Sequence, residues 1–114
     1  MWWFARGFCL SLFVASHAPA LADPPHIETQ IRMIFTGWDH EQFGILTVAP
    51  TANPANCPVG NGYMTDHRQS GYNTYYAAAL LAFAERATVV VVVSDKEGDC
   101  IVDRPRLIGL NILR

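Results

Sequence analysis

The chain has 114 residues, with eight Lys and Arg against ten Asp and Glu, for a net charge of −2 with His neutral. That length sets a single domain. The basic residues are few and scattered, which excludes a nucleic-acid surface built on phosphate contacts. No apolar run reaches the ~18 residues that a helix needs to cross a bilayer.

Residues 1–22 read as an export signal. Arg6 supplies the positive start, and an apolar stretch from Gly7 to Ser16 carries Phe8, Leu10, Leu12, Phe13 and Val14. Ala20-Leu21-Ala22 is an A-x-A cleavage site. Cleavage after Ala22 leaves one secreted or periplasmic domain, residues 23–114, with no membrane span. It holds ten acidic residues against Arg32, Arg68, Arg86, Lys96, Arg104, Arg106 and Arg114, hence −3. Cys9 departs with the signal. In an oxidising compartment Cys57 and Cys100 are expected to form one disulfide. It would close a loop of roughly 44 residues and contribute about 4 kcal/mol in the chain-entropy model.

Asp23-Pro24-Pro25 is an extended leader, since proline cannot donate to a ladder. From His26 the pattern has period two. Ile27, Thr29, Ile31, Met33 and Phe35 fall on one face, and Glu28, Gln30 and Arg32 on the other, as in a half-buried antiparallel strand. Thr36-Gly37 ends it. After Trp38-Asp39-His40-Glu41-Gln42, a second strand over Phe43–Val48 predicts a hairpin. Prolines 50, 54 and 58 make residues 50–58 a loop. Gly60-Asn61-Gly62 is a turn, and Tyr63-Met64-Thr65 a short third strand.

Residues 75–94 form the pair around which the domain is organised. Tyr75 to Ala87 is rich in Ala and Leu and predicts a helix, with Asn73 or Thr74 as its cap. At 3.6-residue spacing Tyr76, Leu80, Phe83, Ala84 and Ala87 share its core face. Only Glu85 and Arg86 bring charge to the rest, so a second, uncharged face is available for a subunit contact. Thr88–Val93 is an unbroken β-branched run and predicts a central strand. Asp95–Asp99 is a turn, Cys100–Val102 a returning strand, Pro105 a break, and Leu107–Leu113 the last strand. The fold class is therefore α+β, mostly β: a small, partly open barrel of about five strands, with one helix between strands three and four.

Chemistry is sparse. His26, His40 and His67 lack partners at metal-ligand spacing, so no metal or other cofactor is expected. The Asp95–Asp99 turn lacks the ligand series of a calcium loop. Ser70 lies near His67 and Asp66 without a G-x-S-x-G, so a small hydrolase is a minor alternative and no catalytic residue is assigned. Aromatics beside polar groups are the better signal. Trp38 with Asp39 and His40, and Tyr72 with Arg68, form a candidate ligand-binding set, because sugars present apolar C–H patches ringed by hydroxyls. A small exported protein-binding or inhibitory domain fits the same aromatics.

An Ala/Leu-rich helix beginning Tyr75-Tyr76-Ala77-Ala78-Ala79-Leu80-Leu81-Ala82, followed by a valine strand, Cys100 and a closing Ile/Leu strand, carries a family resemblance. With the export signal, the early hairpin and the mid-chain Cys57, this layout resembles the binding (B) subunits of AB-type bacterial toxins, above all the subtilase-cytotoxin type. The resemblance implies an OB-like barrel, a pentamer whose helices (residues 74–87 here) line a central pore, recognition of cell-surface glycans, a separate catalytic A subunit, and no enzymatic activity of its own. The Pro/Asn loop at 50–58 and the acidic 95–99 turn depart from that layout.

Overall fold

The computed structural model describes residues 23–37 and 39–114; the export signal expected over 1–22 and the candidate Trp38 lie outside them. The elements are β1 (His26–Thr36), β2 (Gln42–Thr47), β3 (Tyr63–Asp66), α1 (Tyr72–Glu85), β4 (Thr88–Val93), β5 (Cys100–Ile101), β6 (Arg104–Pro105) and β7 (Leu107–Ile112). Five strands form one antiparallel sheet in the order β3-β2-β1-β4-β7, while β5 and β6 pair separately as a short hairpin. The architecture is α+β and mostly strand. Among the described residues no ladder closes the sheet; a single parallel bridge joins Met64 of the edge strand β3 to Arg106, the residue before β7.

Strand β1 serves two ladders. Its first half pairs with β4, from His26 opposite Val92 to Gln30 opposite Thr88. Its second half pairs with β2, and there the register slips between Ile31 and Met33. One extra residue reverses every side chain beyond it. Ile31 pairs with Thr47, but Ile34 now pairs with Ile45 and Phe35 with Gly44. The expected single face of Ile27, Thr29, Ile31, Met33 and Phe35 is thus corrected. Met33 and Phe35 leave the helix side of the sheet, and Ile34 replaces them there.

The helix-side core is built from alternate strand residues. Ile31, Phe43, Ile45, Tyr63, Val89, Val91, Val93, Leu107 and Leu110 are buried together with Ala79 and Ala82 of α1. Full burial of each Val, Leu, Ile or Phe side chain contributes about 1.5–3 kcal/mol. The valine run works as a central strand should, its odd-numbered members fully buried and its even-numbered ones half-buried.

Helix α1 starts earlier than expected and turns a different face inward. Gly71, at φ 93°, is the N-cap and no side chain caps it, so neither Asn73 nor Thr74 has that role. A Cβ at Gly71 would come within 3.0 Å of the Tyr75 ring, so the glycine also makes room. Tyr72 and Tyr76 lie against Phe43, with ring centroids 5.6 and 5.0 Å away. The Tyr75 hydroxyl donates to the Ile108 carbonyl at 2.6 Å. These three tyrosines set the rotation of the helix, and Ala79 and Ala82 follow them inward as the small residues that permit close approach. Leu80 and Phe83 of the expected core stripe are instead 44% and 45% exposed, alongside Leu81. At the far end Arg86 takes the left-handed conformation, and the Ala87 N–H returns to the Ala82 carbonyl at 2.9 Å.

Outside the main sheet the chain is held by a covalent link and specific hydrogen bonds. Cys57 and Cys100 are disulfide-bonded, as the sequence predicted, which points to an oxidising, exported environment. Asn53 brackets Cys57, accepting from its N–H and donating to its carbonyl. The 95–99 turn is tied down at Asp99, whose carboxylate accepts from Ser94 at 2.6 Å and from Arg106 at 2.7 Å. Burial alone would raise the Asp99 pKa, but these bonds and the charges of Arg106 and Lys96 outweigh it and hold the carboxyl below its usual range.

The β5–β6 hairpin turns on Val102 and Asp103, both at positive φ (48° and 63°). Residue 102 is therefore a turn residue, not the end of a strand, and Pro105 sits in the short ladder opposite Cys100 rather than breaking the chain. For Asp this backbone is tolerable; for a β-branched Val it costs on the order of 1–2 kcal/mol.

Candidate functional site

The β3–α1 connection folds into a series of short turns. Gln69 N–H donates to the Asp66 carbonyl and Tyr72 N–H to that of Gln69, while His67 N–H reaches the Glu41 carbonyl across the β1–β2 turn. Together these bonds open a cleft of about 720 Å³ beside the start of α1, lined by Glu41, His67, Gln69, Tyr72, Asn73 and Tyr76. Two phenol rings form an apolar wall. A carboxylate, an imidazole and two amides stand around it, offering both donors and acceptors. The Tyr72 pKa is raised, first by partial burial and then by the nearby Glu41 carboxylate, so at neutral pH its hydroxyl remains available to donate.

The candidates read from the sequence divide over this surface. Tyr72 lines the cleft. Arg68 does not; its guanidinium lies 2.6 Å from Asp66, which also accepts the Arg68 backbone N–H. Burial tends to raise the Asp66 pKa, but the Arg68 bonds and charge prevail and lower it. Asp39 and His40 sit in the exposed β1–β2 turn, 3.3 Å apart, and neither lines this cleft. Asp39 belongs to a second cleft on the face to which β1 delivers Phe35. Glu41, His67, Gln69, Asn73 and Tyr76 were outside the ligand-binding set read from the sequence. His67 and Glu41 are 26 positions apart in sequence, and only the Gln42–Asp66 strand pair brings them together.

The triad-like neighbours do not assemble. Asp66 is committed to Arg68, and among the described residues no hydrogen bond joins Ser70 to His67. Among the described residues there is also no group of three His, Cys, Asp or Glu side chains able to share a metal ion, and no helix long and apolar enough to cross a membrane. Comparison of the chain with family models, with curated proteins and with solved structures finds no match.

Proposed function

We propose that the protein is a secreted, non-enzymatic binding module of OB-like barrel architecture that recognises cell-surface glycans, in the manner of a toxin B subunit. The observation that carries this reading is the cleft beside α1. Tyr72 and Tyr76 supply ring surface for sugar C–H groups, and Glu41, His67, Gln69 and Asn73 supply hydroxyl partners at its rim. Barrel character is supported by the strand order and by the parallel bridge that joins Met64 of edge strand β3 to Arg106, next to edge strand β7. Assembly into a pentamer through α1 is supported by its uncharged outer face, on which Leu80, Leu81 and Phe83 stand exposed. A catalytic A subunit would then dock on the assembled ring.

The test is a glycan array read in parallel with the mass of the protein in solution. Binding should fall at least tenfold in Tyr72→Ala and in Asn73→Ala, and Leu81→Glu should reduce the assembly to monomers. A monomeric wild type that binds no glycan and co-purifies with one protein would replace this reading with that of an exported protein-binding or inhibitory domain.

A further inference from the structure

A second cleft, of about 360 Å³, opens on the opposite face of the sheet between the β1–β2 turn and the β5–β6 hairpin. Its chemistry differs from that of the first. Phe35 and Met64 form the floor, Val102 one wall, and Arg104 and Asp39 bring one charge of each sign. The Arg104 guanidinium lies over the Phe35 ring at 5.4 Å, with its Nε donating to the Asn61 carbonyl at 2.8 Å. That bond fixes the head group and leaves the two terminal nitrogens to meet a carboxylate end-on. Among the described residues the one ion pair recorded for Asp39 is with the neighbouring His40.

Val102 is the telling residue. It occupies a turn position where Gly or Asn would sit without strain, and its side chain is 53% exposed, so the core does not require it. Strain kept at an exposed rim is accounted for when the side chain has a contact to make there. Among the described residues the neutral polar side chains of the lining are few, Thr36 and Gln42, which argues against a second sugar site.

We propose that this cleft binds a small zwitterion with an apolar body, the chemistry of a free hydrophobic amino acid. The carboxylate meets Arg104, the ammonium meets Asp39, and the apolar side chain rests on Phe35, Met64 and Val102. The volume lies at the lower end of small-molecule sites, which run from about 300 to 1,000 Å³.

The experiment is an NMR titration of the isotope-labelled protein with L-phenylalanine, repeated with 3-phenylpropanoate and 2-phenylethylamine, which lack the ammonium and the carboxylate respectively. Saturable shifts should centre on Phe35, Asp39, Gln42, Val102 and Arg104 and leave Tyr72 and Asn73 unmoved. Each singly charged analogue should bind at least tenfold more weakly. Arg104→Gln should lose at least tenfold in affinity. Asp39→Asn, in an exposed turn where folding is not at risk, should bring phenylalanine and phenylpropanoate to equal affinity. Val102→Asn should raise the melting temperature while weakening phenylalanine several-fold. The proposal is overturned by the absence of saturable shifts at roughly 50 mM amino acid, a Kd too weak for specific recognition. It is equally overturned if Asp39→Asn leaves the preference for the zwitterion intact. Glycan binding in these variants reports separately on the cleft beside α1.

Discussion

On the helix side of the sheet, stability comes from many interchangeable apolar contacts: alternate valines of β4, Phe43, Ile45 and Tyr63 under the alanines of α1. In the loops outside the main sheet it comes from a few specific links, the Cys57–Cys100 bond, the Asn53 bracket and the Asp99–Arg106 ion pair. The first region behaves as a packed solid, where removing volume costs energy in proportion to what is lost. The second is expected to act as a set of ties, where each loss releases a segment and leaves the sheet in place. A domain of this size is hard to stabilise by core alone, which is why both kinds of support are present.

That contrast can be broken from either side. Phe43→Ala removes the ring on which Tyr72 and Tyr76 rest, and should cost about 3–5 kcal/mol by denaturant unfolding, with α1 losing helicity. Cys57→Ala, or reduction of the wild type, should cost about 2–5 kcal/mol. Hydrogen exchange should rise first at Cys57, Val59 and Gly98 while the β1–β4 ladder stays protected. Uniform loss of protection would show that the two regions melt as one.

Two smaller changes sharpen the comparison. Asp99 has a lowered folded-state pKa, so the stability it contributes is present above its unfolded pKa, about 3.9, and is lost as pH falls through the folded value. Asp99→Asn should cost about 1.5–3 kcal/mol at pH 7 and flatten the acid limb of the stability profile. An unchanged acid limb would assign that limb to Asp66 instead. Gly44→Ala acts on the seam between the regions, because its new Cβ would collide with Phe35 and Met64. It should cost about 1–3 kcal/mol and disturb the second cleft while leaving the helix-side core in register.

How much was legible in the sequence depends on which signals were local. The five strands of the main sheet, the helix and the disulfide were readable because period two, an Ala/Leu run and a pair of cysteines each carry their own physics. The face reversal in β1 was not, since a bulge leaves no mark in a run where Met33, Ile34 and Phe35 are all apolar. Nor was the rotation of α1, because a helix apolar on every side does not say which arc turns inward; the tyrosines decide it through Phe43 and Ile108. Within the candidate site, Tyr72 stood out as an aromatic among polar neighbours. Its partners Glu41 and His67 were hidden because their proximity is a product of strand pairing.

The pairing of β1 with β4 also governs how fast the domain can form. Gln30 must find Thr88 across more than half of the described chain, while the β1–β2 hairpin closes locally. Folding should therefore begin at the hairpin and wait on β4, on the millisecond-to-second scale of sheets dominated by remote contacts. The Cys57–Cys100 bond joins the connection leading into β3 to the turn after β4, shortening the search that remains. Refolding from the oxidised state should outpace refolding from the reduced one, so the order in which oxidation and folding occur sets how long the hydrophobic face of β4 stays uncovered.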